Sequence, residues 1–316
     1  MLDDALRLLL LLLLGLIAAW GALIVYTYRA LTSPPRRTYA SALARGRPGD
    51  PSQLPASPLT PGGQRAFEAW TFPSSAGPLH VWDMPGDDPT GPVVVMCHGW
   101  GDSRIGSLTR APGLLPCCSR LVMWDMPGHG DSPGRCSLGL GETDHLLDLI
   151  SHVADQRPLV LFGWSLGAGV AIAAAVRAPE RIHAVIAESP YRLAHTPAHN
   201  VLTLMGIPHR PNLRPALWLV RWLSGKGANF DGFDRAALAK HLSCPLLVIH
   251  GEQDNVSPVA DARDIAHAAP DATILCLPEA GHHGLWTDPA TLETCGNAVR
   301  KLLARVRATP ASPVSS

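Results

Sequence analysis

The sequence predicts a three-layer α/β domain, on three observations. From about Ala66 onward, short apolar runs alternate with helical patterns, as strands and helices do in such a domain. The later runs, such as Val93–Cys97 and Leu159–Gly163, are apolar throughout, as parallel strands covered on both faces are. The run Leu159–Gly163 also enters the turn Gly163-Trp164-Ser165-Leu166-Gly167, and an Ala-rich run of helix length, Val170–Val176, leaves it.

The elements follow in order. Leu8 to Tyr28 is apolar apart from Thr27 and two glycines. At about 1.5 Å per residue this run covers roughly 30 Å, the thickness of a bilayer core. Residues 1–31 are therefore expected to be a transmembrane anchor, with Trp20, Tyr26 and Tyr28 as interfacial aromatics. A cleaved signal peptide is the rival, and Ala40-Ser41-Ala42 would serve as its cleavage site. The length of the run and Asp3 and Asp4 at its front argue against it. Arg29, Arg36, Arg37, Arg45 and Arg47 follow the run, while Arg7 precedes it. By the positive-inside rule the remainder of the chain is expected in the cytoplasm.

Residues 32–65 are rich in Pro, Ser, Gly and Arg without periodicity, the composition of a linker. The main domain is expected over 66–307. Its strand candidates are Ala66–Phe72, Leu79–Met84, Val93–Cys97, Leu121–Trp124, Leu159–Gly163, Ala184–Glu188, Leu246–His250 and Thr273–Leu277. The first two alternate apolar with polar residues, which suits an antiparallel pair at a sheet edge. Helix candidates are Gly141–Ala154, Leu166–Arg177, Pro258–Ala268 and Asp288–Arg307. Residues 189–243 interrupt the alternation and read as a helical lid inserted after the sixth strand. In it, Trp218, Leu219, Trp222 and Leu223 are spaced to share helix faces, either packed on the core or lining an acyl pocket or touching lipid. His195, His199 and His209 lack a metal-site spacing, and Pro197 argues against a regular helix between the first two. Residues 308–316 read as a polar tail.

Composition excludes some classes. Acidic and basic residues number 26 each, with no basic run, so nothing points to nucleic acid. The seven cysteines are irregularly spaced, without a Cys-x-x-Cys or zinc pattern, and mildly favour a reducing compartment. No metal or cofactor is called for.

Gly163–Gly167 is a Gly-x-Ser-x-Gly pattern in the strand–turn–helix context of a nucleophile elbow. A serine hydroxyl needs a base, and the base needs an orienting acid. In this strand order both are expected after the serine, at the ends of later strands. His250-Gly-Glu-Gln-Asp254 follows one strand candidate, and Gly281-His282-His283 follows the next.

With these motifs the chain resembles the α/β-hydrolase superfamily over about residues 66–307. His98-Gly99-Trp100-Gly101-Asp102-Ser103 resembles the family's His-Gly loop, and Asp125-Met-Pro-Gly128-His129-Gly130-Asp131-Ser132 its Asp-x-x-Gly-His-Gly-x-Ser loop. The resemblance implies a mostly parallel eight-stranded sheet flanked by helices. It implies Ser165 as nucleophile, Asp254 as acid and His282 as base, with an oxyanion hole from the backbone N–H groups of Trp100 and Leu166. Glu252 and Glu188 are the rival acids, and His283 is the rival base. His98, His129 and Asp125 are expected to brace their loops. The expected activity is hydrolysis of a carboxylic ester with a lipophilic acyl group. Amide, peptide or thioester hydrolysis and acyl transfer are open to the same residues. A non-catalytic, membrane-tethered binding protein on the same scaffold is the alternative of another class.

Overall fold

The computed structural model describes residues 2–153, 156–225 and 233–308. Two helices precede the sheet, α1 (Leu2–Thr32) and the short α2 (Tyr39–Leu43). The strands are β1 (Glu68–Phe72), β2 (Leu79–Pro85), β3 (Val93–Cys97), β4 (Arg120–Trp124), β5 (Leu159–Trp164), β6 (Ala184–Glu188), β7 (Leu246–Gly251) and β8 (Ala272–Leu277). Between β3 and β4 lie two single turns, α3 (Arg104–Ser107) and α4 (Ala111–Leu114). Two longer helices flank β5, α5 (Glu142–His152) before it and α6 (Leu166–Arg177) after it. The insertion between β6 and β7 holds α7 (His195–Leu204), α8 (Leu213–Leu223) and α9 (Arg235–Ala239). The last helices are α10 (Val259–Ala268) and α11 (Pro289–Ala308).

The eight strands form one sheet in the order β1-β2-β4-β3-β5-β6-β7-β8. β2 is antiparallel to both β1 and β4, and every other pairing is parallel. Period-two alternation then sends neighbouring side chains into two cores. Val93, Val95 and Leu161 join the α5–α6 side, where Leu146 and Ile172 cover them. Val94, Met96 and Phe162 join the other side, under Val299 and Leu303 of α11. The fold is the α/β-hydrolase architecture, with the switch in strand order beside β3 and β5.

Four expectations are corrected. β8 is not buried on both faces: as the edge strand it has one neighbour, and Ile274 is exposed. Pro197 does not prevent a helix, because it falls in the first turn of α7, where its missing N–H has no intrahelical partner to lose. Trp218 and Trp222 do not pack on the core. Leu213, Ala216, Leu217 and Val220 form the buried stripe of α8, and the two indoles stack on its outer face, 57% and 65% exposed.

Residues 32–65 are not a featureless linker. Thr38 and Ser41 cap α2 reciprocally, and Asp50 caps the turn Pro51–Gln53. Three arginines fasten the segment to the fold. Arg36 donates to the Gly130 carbonyl at 2.7 Å, Arg37 pairs with Asp102 at 2.9 Å, and Arg65 pairs with Asp87 at 2.9 Å.

α1 is long and apolar enough to cross a membrane, and its most apolar stretch is unburied. Only its last turns dock: Thr27, Leu31 and Thr32 are buried, and the Asn212 amide of the lid donates to Thr27 Oγ1. The expected tail after residue 308, and part of the lid, lie outside the described residues.

Candidate active site

Ser165 sits on the turn between β5 and α6, with φ +53° and ψ −108°, a conformation that residues with a side chain avoid. The turn closes because two glycines lack side chains. A Cβ on Gly163 would stand 2.2 Å from the Gly167 carbonyl oxygen, and one on Gly167 would stand 2.1 Å from that of Cys97. The Ser165 N–H donates to the Glu188 carbonyl at 2.8 Å, which ties the turn to β6.

Leu166 begins α6, so its N–H has no intrahelical acceptor. Trp100 lies in the loop after β3. Its backbone N–H donates to no backbone carbonyl among the turns and loops of the described residues. Its indole Nε1 donates to the carbonyl of Leu31 in α1 at 2.8 Å.

Asp254 and His282 meet. His282 Nδ1 and Asp254 Oδ2 are 2.7 Å apart, and Asp254 Oδ1 accepts from the N–H groups of Val256 and Ser257 at 2.8 and 2.7 Å. Burial alone would raise the Asp254 pKa. The His282 hydrogen bond and charge, with the two backbone donors, outweigh it and hold the carboxyl below its ordinary value. His282 and Ser165 open onto one cavity of about 390 Å³, without a direct hydrogen bond between them. The cavity is lined on its apolar side by Leu138, Ala194, Pro197, Val201, Leu204 and Met205.

The rivals make other contacts. Glu252 is exposed and pairs with Arg263 at 2.8 Å. Glu188 is buried and accepts two bonds from Arg110, at 2.8 and 2.7 Å, so its carboxylate faces that guanidinium. His283 stacks edge-on against Trp164 at 5.3 Å and lines the cavity, and its neighbour holds the contact with Asp254.

The bracing residues behave as the motifs imply. His98 lies between the Gly99 carbonyl, 2.8 Å from Nδ1, and the Met126 N–H, which donates to Nε2 at 3.0 Å. Its ring is therefore neutral, and burial pushes its pKa down to about 4. Asp125 accepts from the N–H groups of Arg104 and Asp131 and pairs with the Arg104 guanidinium. In the lid, the rings of His199 and His209 lie 4.8 Å apart, and Arg210 Nε donates to His199 Nε2 at 3.1 Å. Among the described residues no group of three or more His, Cys, Asp or Glu is arranged to hold a metal ion.

Sequence reasoning missed several residues. Leu31, Pro35, Arg37 and Arg45 line the same cavity as Ser165, although all lie before the expected domain. The Arg110 guanidinium lies 4.3 Å from the centre of the Trp164 ring, whose centre is 5.6 Å from that of His282. The run of arginines after the apolar helix was the available signal for the first group. Arg110 carried none.

The strand order and the turn that carries Ser165 are those of the α/β-hydrolase fold. Residues 92–209 match the family model described as alpha/beta hydrolase fold. It is similar to a pimeloyl-[acyl-carrier protein] methyl ester esterase of Chromobacterium violaceum, 29% identical over 230 residues, covering 61% of this chain and 87% of that protein. It is similar to a monoacylglycerol lipase of Mycolicibacterium smegmatis, 28% identical over 247 residues, covering 61% and 81%. Among solved structures, an esterase of Pyrococcus furiosus aligns with a TM-score of 0.61 at 17% identity, over 86% of this chain and 98% of that one. That last likeness shows the fold alone.

Proposed function

We propose that the chain is a membrane-anchored serine hydrolase that cleaves carboxylic esters of lipophilic acyl groups. The observation that carries this reading is the 2.7 Å contact of His282 with the buried Asp254, opening onto the apolar cavity that also receives the strained Ser165. Asp254 holds the proton on His282 Nδ1 and leaves Nε2 free to take the Ser165 proton. Ser165 Oγ attacks the ester carbon, and the N–H groups of Trp100 and Leu166 receive the developing oxyanion. His282 returns the proton to the departing alcohol. Water then cleaves the acyl-serine by the same route.

The names of the two sequence relatives, an esterase and a lipase, support an ester over an amide. The apolar cavity supports a lipophilic acyl group. α1 supports an anchor, and the arginines that follow it support a cytoplasmic side for the fold. The test is labelling by a fluorophosphonate probe. Ser165→Ala is expected to abolish it at an unchanged melting temperature, while His282→Ala lowers turnover by about 10⁶ and His283→Ala leaves most of it. Equal residual activity in the two histidine variants, or no labelling of folded protein, would count against the reading.

A further inference from the structure

The mouth of the cavity holds more positive charge than a neutral ester requires. Arg37 and Arg45 line it, and Arg37, Arg47 and Arg110 line a small adjoining recess with Asp102 and His283. Two of these four cations are matched, Arg37 with Asp102 at 2.9 Å and Arg110 with Glu188 at 2.7 Å. Arg45 and Arg47 have no carboxylate partner among the described residues. Arg45, Arg47 and Arg110 are close enough to act on Arg37. Burial first, and then the charges of Arg45, Arg47 and Arg110, hold the Arg37 guanidinium below its ordinary pKa against the pull of Asp102.

We infer that the substrate of the proposed hydrolase is an anionic amphiphile. Its acyl chain fills the apolar cavity, its ester carbonyl meets Ser165, and a phosphate or carboxylate on its alcohol part lies against Arg45 and Arg47. This inference rests on the hydrolase reading. A guanidinium offers paired donors that fit such anions, and an apolar wall beside it strengthens the attraction. Residues 32–47 thereby select the substrate, and the fold performs the chemistry.

The test uses the full chain in neutral detergent micelles, with 1-decanoylglycerol and 1-decanoylglycerol 3-phosphate as matched substrates. The phosphate ester is expected to be preferred in kcat/KM by about tenfold, the sum of two partly exposed ion pairs. The preference should weaken with added salt. In Arg45→Gln/Arg47→Gln the ratio is expected to fall toward one, and in Arg45→Lys/Arg47→Lys to recover in part. Equal rates in the parent, turnover of neither substrate by labelled protein, or an unchanged ratio in the glutamine variant overturns the inference. If the arginines serve lipid phosphates instead, the glutamine variant loses binding to phosphatidylserine-containing vesicles and keeps its ratio, which also overturns it. Absent fluorophosphonate labelling is a different failure, that of the hydrolase reading itself.

Discussion

Glu188→Gln separates a structural carboxylate from a catalytic one. In the sequence Glu188 is a rival to Asp254. In the structure it is 1% exposed and bonded twice to Arg110, itself buried against Trp164. Removing one partner of a buried ion pair strands the other, at about 3–5 kcal/mol. The glutamine carbonyl still accepts one N–H, and Asp102 also attracts Arg110, so the lower end applies. At about 2–4 °C per kcal/mol for a domain of this size, 3 kcal/mol lowers the melting temperature by about 6–12 °C. The double variant Glu188→Gln/Arg110→Met removes the stranded cation and should recover most of that loss. Thermal denaturation reads both, and ester turnover on the same samples reads the chemistry. Asp254→Asn should do the reverse, keeping the fold and losing on the order of 10⁴ in kcat. A Glu188→Gln protein that melts within about 2 °C of the parent would refute the reasoning, since loss of the buried pair lowers the melting temperature by about 6–12 °C. So would one that loses turnover as Asp254→Asn does.

Three further outcomes follow from the same geometry. The His98 pKa lies at about 4 in the fold against an ordinary 6.5, so between those values the unfolded chain binds the extra proton. Stability is then complete above pH 6.5 and declines as pH falls to 4, by on the order of 3 kcal/mol. Urea denaturation across that window should show the decline, reduced in His98→Gln, with a residue of slope from His129, which burial also lowers. Deleting residues 2–22 should leave turnover of soluble esters intact. Deleting 2–60 removes Leu31, Arg37 and Arg45 from the cavity wall and should raise KM for long-chain esters at least about tenfold, the loss of one buried leucine contact or more.

The eight strands were legible because strand periodicity and glycine-bounded turns are local properties. The order of the motifs carried Ser165, Asp254 and His282, since each stands at the end of its own strand. Three things were not legible. α8 has two apolar stripes, and periodicity does not say that the one with Leu213 and Val220 faces inward and the indoles outward. Residues 32–65 look solvated by composition, yet Arg36 reaches Gly130, 94 residues away, and no local pattern reports such a contact. The Arg110–Glu188 pair spans 78 residues and likewise has no signature in either segment.

The hydrogen bond from the Trp100 indole to the Leu31 carbonyl joins the loop of the proposed oxyanion hole to the final turn of α1. A helix that ends inside the fold leaves no slack between tether and enzyme. In a bilayer the protein would be a head fixed on a mast, unable to pivot toward distant substrate. Tyr26, the last exposed large apolar residue of α1, precedes Leu31 by five positions, about 8 Å of helix. In the proposed membrane-anchored hydrolase, that rise would set how far an acyl chain climbs out of the lipid before its ester can meet Ser165.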